Sequence, residues 1–150
     1  MKRLVRVAGE SMAPTHRSSD LLLTRPVGRA GVRRDDVVVL RHGELRMIKR
    51  VMGLPGDHVA LETGRLFVDG ASVDGRPRVR GAYTQTWTVP ARAVFVVGDN
   101  PGASDDSRVW DEPFVGLDDV EAVITRRLPR PRRPRWLTPR RPAAAAGRVG

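Results

Sequence analysis

Two short runs, Asp36-Val37-Val38-Val39-Leu40 and Ala93-Val94-Phe95-Val96-Val97, are apolar but for the leading Asp36 and mostly β-branched, and each ends within three residues at a glycine. Runs of about five residues bounded this way read as buried strands. The rest of the chain is cut into similar lengths by 15 glycines and 12 prolines, which leaves little room for long helices. Residues 4–8 alternate apolar and basic, as a half-buried strand does. Residues 21–24 give another short strand. Residues 44–52 fit helix or strand alone, but Gly43 before them and Gly53-Leu54-Pro55-Gly56-Asp57 after them favour a strand. Residues 58–62 and 65–68, joined by Thr63-Gly64, read as a β-hairpin. Further strands are expected at 87–89 and 94–97, and residues 118–128 start as a helical turn and continue as a strand. No βαβ alternation is present. The expectation is an all-β fold, barrel-like or sandwich, of short antiparallel strands.

Charge and composition exclude several functions. The chain of 150 residues has no cysteine, so it has no disulfide, thiolate metal site or cysteine nucleophile. His16, His42 and His58 are isolated, and neither a metal nor a cofactor is expected. The net charge is +10, but seven arginines fall in residues 129–150, which hold no acid, leaving +3 for residues 1–128. With one Tyr, three Trp and three Phe the folded part offers few stacking platforms, so a basic nucleic-acid-binding barrel is the weaker, non-enzymatic alternative. Residues 129–150, rich in Arg, Pro and Ala, are expected to be a disordered tail. No apolar run reaches the roughly 20 residues of a membrane span, and the first residues lack the apolar stretch of a secretory signal.

Three segments carry chemistry. After the strand at 93–97 comes Gly98-Asp99-Asn100-Pro101-Gly102-Ala103-Ser104-Asp105-Asp106-Ser107-Arg108-Val109-Trp110, a loop dense in short polar groups suited to holding another side chain in place. The chain has only two lysines, Lys2 and Lys49. On an alternating strand Lys49 shares a face with Met47 and Val51. Desolvation there lowers a lysine's pKa, which arginine does not permit, so Lys49 can serve as a base towards a serine. Ser11 is the candidate nucleophile: Gly9 permits close backbone approach, Pro14 fixes the turn behind it, and its own N–H can face a developing oxyanion. The segment Gly9-Glu10-Ser11-Met12-Ala13 nearly matches the serine elbow of α/β-hydrolases, but Pro14 and the missing parallel α/β pattern rule that out.

In order along the chain these segments resemble the signal peptidase I family of Ser–Lys endopeptidases. The resemblance rests on Gly9-Glu10-Ser11-Met12-Ala13-Pro14-Thr15, on Asp36-Val37-Val38-Val39, on Ile48-Lys49-Arg50-Val51-Met52-Gly53-Leu54-Pro55-Gly56-Asp57, and on Gly98 through Trp110. It implies a signal-peptidase/LexA-like β catalytic domain over residues 1–128. It also implies removal of signal or leader peptides after small residues, of the Ala-x-Ala type. By the resemblance Ser11 is the nucleophile and Lys49 the general base. Ser104 hydrogen-bonds and orients the lysine, while Asp99, Asn100, Asp106, Ser107 and Arg108 support the site, with Asp106 and Arg108 paired. Val7, Ala8, Gly9, Met12, Met47 and Ile48 line the substrate cleft. The partner is a polypeptide with a leader, and no nucleic acid is expected. Peripheral membrane contact on the extracytoplasmic face follows from the family. A late-chosen start, a peripheral enzyme and a dedicated soluble maturation protease are alternative explanations for the ten residues that precede Ser11. A self-cleaving LexA-type regulator is a further reading, but the one candidate bond, Ala8-Gly9, lies too near Ser11 to fold back. The sequence departs from the family pattern at Asp111-Glu112-Pro113 after Trp110, and at Gly9, where some members carry a hydroxyl residue.

Overall fold

The computed structural model describes residues 2–73 and 84–131. Eleven strands occur among them: β1 (Arg3–Arg6), β2 (Leu21–Pro26), β3 (Val37–His42), β4 (Leu45–Gly53), β5 (His58–Glu62), β6 (Arg65–Val68), β7 (Ala71–Ser72), β8 (Thr84–Thr88), β9 (Ala93–Val97), β10 (Phe114–Gly116) and β11 (Val120–Arg127). The only helical pieces among the described residues are two 3₁₀ turns, Pro101–Ala103 and Leu117–Asp119. A seven-stranded sheet runs β1-β2-β11-β3-β4-β9-β10 and a four-stranded sheet runs β7-β6-β5-β8. Every pairing is antiparallel. The all-β expectation holds, and the hairpin at 58–68 falls where the sequence places it.

The valine runs are dense because they are buried on both faces. In β9, Val94 and Val96 point into one core with Val38, Leu40, Val51, Val115, Val120 and Val123. Ala93, Phe95 and Val97 point into a second core with Met52, Val59, Leu66 and Val89, between the two sheets. A period of two with no polar face is what a central strand covered on both sides requires. Gly53, at the end of β4, packs tightly against this second core. A Cβ there would lie 2.9 Å from Phe95 Cβ and from Val89 Cγ2, so no side chain fits without moving the core.

Several boundaries differ from the sequence reading. The first strand ends at Arg6; Val7 N–H still donates to Asp20 O and Val7 O accepts from Ser19 N–H, each at 2.9 Å, and the chain then turns toward Ser11. The strand expected at 87–89 is Thr84–Thr88, pairing with β5. Asp111 and Glu112 occupy a bend from which the chain enters β10, a strand the sequence does not announce, and β10 pairs with β9. The greater part of the tail expected to be disordered lies outside the described residues.

Two features of the large sheet position the site. Among the described residues β1 is an edge strand, paired only with β2. β4 pairs with β3 along most of its length but with β9 only from Arg50 onward. Among the described residues, the edge of β4 around Met47 and Ile48 therefore has no strand on its second side. A cleft of about 220 Å³ lies between these edges, lined by Val5, Arg6, Val7, Ala8, Ser11, Met12 and by residues 46–49.

Candidate active site

Ser11 sits in the turn that follows β1. Gly9 adopts φ +85°, a left-handed conformation that glycine reaches without penalty. The turn is tied by Ala13 N–H to Glu10 O at 3.1 Å and His16 N–H to Met12 O at 2.9 Å, and it is anchored by the fully buried Met12 side chain. The Ser11 N–H has no acceptor among the described residues.

Lys49 comes from the middle of β4, opposite Val38 of β3. It shares its face with Val51, which belongs to the first core, and Met47, which packs against that core. Only 4% of Lys49 is exposed. Its ammonium nitrogen Nζ lies 3.0 Å from Ser11 Oγ. Burial pushes its pKa below the ordinary lysine value, against the carboxylates of Asp106 and Asp105, which raise it, and with Arg108, which lowers it further.

The loop at 98–110 is organised around Asp106, which is fully buried. Its Oδ2 accepts from Ser104 Oγ at 2.6 Å and Gly98 N–H at 2.8 Å, and Arg108 donates through Nε at 2.9 Å and Nη2 at 2.6 Å. Burial alone would raise the Asp106 pKa, but the Arg108, Gly98 and Ser104 hydrogen bonds outweigh it and hold the carboxyl below its usual range. Ser107 clips the loop to β9: its Oγ accepts from Val96 N–H at 2.9 Å and its N–H donates to Val96 O at 3.1 Å.

The expected Asp106–Arg108 pair is present, but the expected bond from Ser104 to Lys49 is not. Ser104 gives its proton to Asp106, whose ionised oxygen is the stronger acceptor, and the Lys49 amine meets Ser11 directly.

Asp99 and Asn100 brace the serine turn. Asn100 N–H donates to Ser11 O at 2.9 Å, and its amide donates to Glu10 O at 3.1 Å. Asp99 receives Thr15 Oγ1 at 2.6 Å and a two-pronged contact from Arg50, Nε at 2.8 Å and Nη2 at 2.7 Å. Arg50 follows Lys49 on β4 and also donates to Asp35 O at 2.8 Å. One network therefore joins the serine turn, the lysine strand and the polar loop. Thr15 and Arg50 belong to the motifs quoted above, yet their partnership with Asp99 crosses 84 and 49 residues of chain, a pairing no local pattern reveals. His42, at the end of β3, stacks on Trp110 with ring centroids 3.8 Å apart and an interplanar angle of 10°, closing the far end of the loop onto the sheet. Val7, Ala8, Met12, Met47 and Ile48, expected at a substrate cleft, line the cleft described above, and Gly9 does not. Val5, Arg6, Val39 and Arg46 were not foreseen there.

The family described as "Signal peptidase, peptidase S26" matches residues 2–128. The chain belongs to that family. Membership places it among serine endopeptidases, and the family is membrane-associated. Similar proteins include signal peptidase I of Bacillus caldolyticus, 36% identical over 137 residues that cover 79% of this chain and 72% of that one. Signal peptidase I S of Bacillus subtilis strain 168 is 33% identical, covering 68% of this chain and 64% of the relative. Signal peptidase I of Pseudomonas fluorescens is also 33% identical, but the match spans 57% of this chain and 42% of that longer protein. A crystal structure of a signal peptidase I from Enterococcus faecalis V583 is 32% identical, with a TM-score of 0.49 covering 63% of this chain and 97% of that one. Among the described residues no helix is long and apolar enough to cross a membrane.

Proposed function

We propose that this chain removes signal or leader peptides after small residues, with Ser11 as nucleophile and Lys49 as general base. The observation that carries the reading is the 3.0 Å contact between Lys49 Nζ and Ser11 Oγ, made by a lysine that burial biases toward its neutral form. A neutral amine accepts the Ser11 hydroxyl proton as Oγ attacks the scissile carbonyl. The Ser11 N–H faces the developing oxyanion. The protonated Lys49 then gives its proton to the departing amine, leaving an ester on Ser11. Water, deprotonated by Lys49, attacks that ester, releases the leader carboxylate and restores the serine. No metal or cofactor enters these steps.

The cleft between β1 and the unpaired part of β4 suits an extended peptide, which can bond to either strand edge. Val7, Met12 and Ile48 narrow it, in keeping with small residues beside the cut. Asp106 and Arg108 serve as the rigid support behind Lys49, and Asp99, Asn100 and Arg50 hold the serine turn against it. We place the domain at the extracytoplasmic face of a membrane in peripheral contact, with a dedicated soluble maturation protease as the alternative. Leu4 and Leu45, exposed by 58% and 60%, are among the exposed apolar groups available for that contact, with Val73 and Val109. The test is cleavage of an Ala-x-Ala peptide by wild type, Ser11→Ala and Lys49→Arg. Both variants should lose at least about a thousandfold in kcat/KM, as paired catalytic groups do. Equal activity in all three proteins would remove the dyad.

A further inference from the structure

Of the three histidines, His42 stacks on Trp110 and His58 meets Thr88, while His16 belongs to the serine turn. Its N–H donates to Met12 O at 2.9 Å, which ties it to the residue after Ser11. Its neighbour Thr15 donates to Asp99. The charged groups acting on the His16 ring are Arg50, Asp99, Asp20 and Arg127, and they are already paired with one another. Asp99 accepts from Thr15 Oγ1 and twice from Arg50. Asp20, fully buried, accepts from Arg17 N–H and Arg130 Nε, each at 2.8 Å, and stands 3.5 Å from Arg127. The His16 Nδ1 atom is buried and has no hydrogen-bond partner among the described residues. Nothing in the catalytic steps above uses this ring.

We propose that His16 is a positioning residue for the Ser11 nucleophile: neutral, it seats the turn against Lys49, and protonated, it unseats it. This rests on Ser11 and Lys49 being the reacting pair. A neutral imidazole can carry its proton on Nε2 and leave Nδ1 as a bare acceptor. A second proton must go onto Nδ1, where no acceptor meets it, and a buried cation without a hydrogen bond costs far more than an unused lone pair. Burial, then Arg50 and Arg127, oppose that charge and outweigh Asp20 and Asp99, which favour it, so the imidazole is held below its ordinary pKa. Once protonated, the ring is satisfied by turning out to water or by drawing Asp99 away from Thr15 and Arg50. The first withdraws a half-buried ring from the turn it belongs to, and the second frees Thr15. Both leave Ser11 Oγ, 3.0 Å from Lys49 Nζ, less firmly held, and a displacement on the order of 1 Å there costs about a hundredfold in rate.

The pH profile of kcat/KM on an Ala-x-Ala peptide separates this proton from the one on Lys49. With the lysine alone, kcat/KM falls about tenfold per pH unit on the acid side. With His16 added, the fall steepens to about a hundredfold per unit below the imidazole pKa, because two protons must leave. His16→Leu and His16→Asn stay uncharged at every pH and should keep the tenfold slope throughout; the amide of asparagine, which can stand in for Nδ1, keeps the comparison available should leucine fail to fold. A tenfold slope in wild type, or a steepened limb in either folded variant, would overturn the proposal. NMR on the wild-type chain reads the same coupling without turnover. The His16 ring should titrate below the ordinary imidazole value, and the Ser11, Met12 and Asn100 amides should shift with the same midpoint and lose that transition in His16→Asn. Amides that stay still while His16 titrates would overturn the proposal and leave the protease reading intact. A Ser11→Ala protein as active as wild type would remove the dyad and the positioning role together.

Discussion

Gly98→Ala asks the most of the geometry. The φ of Gly98 is not in the left-handed region, so alanine changes only the space occupied. A Cβ there would overlap the Ser104 hydroxyl, approach Ser104 Cβ to 2.5 Å and reach the Ser11 carbonyl oxygen at 2.6 Å. Ordinary contact begins near 3.4 Å, so the overlap is close to 1 Å. Neither neighbour is free to move: Ser104 Oγ is bonded to Asp106 at 2.6 Å, and Ser11 O accepts from Asn100 at 2.9 Å. Overpacking of this kind costs about 1–3 kcal/mol, and losing the Ser104–Asp106 hydrogen bond to a charged group adds about 1.5–3 kcal/mol. If the strain is relieved partly by displacing Ser11, a shift on the order of 1 Å from Lys49 lowers kcat about a hundredfold. Urea unfolding and cleavage of an Ala-x-Ala peptide report the two effects separately. Ser104→Gly in the same chain removes the nearest obstructing atoms, so the double variant should be more stable than the sum of the single changes by about 1 kcal/mol or more. An alanine variant with stability and turnover matching wild type, or strict additivity with Ser104→Gly, would refute the close approach of loop and nucleophile.

Asp106→Ala leaves the nearly buried Arg108 guanidinium without its partner, so it should destabilise the chain by about 3–5 kcal/mol in urea unfolding. A loss under about 1 kcal/mol would mean the pair is not the loop's anchor. With Lys49 as the proposed base, activity requires its neutral amine, whose pKa burial has lowered, so kcat/KM should rise with pH through a limb below the ordinary lysine value. Asp105→Asn removes an exposed carboxylate that raises this pKa, and it should move the limb to lower pH at low salt; an unmoved or upward-moved limb would contradict the assignment. Lys49→Met should abolish activity yet raise stability. The folded chain holds the amine at a lower pKa than the unfolded chain, so the burial penalty is complete below the folded pKa. It fades as pH rises toward the unfolded value of about 10.4. The stabilisation by methionine should therefore be largest at neutral pH and vanish in strong alkali.

Most strands were legible because each carries its own evidence. Past the leading Asp36, the runs at 36–40 and 93–97 have no polar face, and such a segment can be satisfied only between two layers. The hairpin at 58–68 is announced by Thr63-Gly64 and by the apolar residues on both sides. Strand β10 was not legible: Phe114, Val115 and Gly116 are too few to show a period, and they become a strand only because β9 offers an edge. The end of β1 has the same origin, since the chain past Val7 enters the Ser11 turn, which the loop at 98–100 holds.

The sequence by itself determined which groups are present and how they are spaced: a serine in a glycine–proline turn, one lysine on an apolar strand face, and a polar loop after a buried strand. Local chemistry suffices for that, because turn residues and strand periodicity act over a few neighbours. Tertiary structure alone decided who bonds to whom. Ser104 gives its proton to Asp106 instead of touching Lys49, since a buried carboxylate beside it outcompetes an amine already facing Ser11. Arg50 and Thr15 converge on Asp99. These outcomes depend on how the large sheet brings its edge strand β1 opposite β4, a consequence of long-range packing that no window of sequence contains.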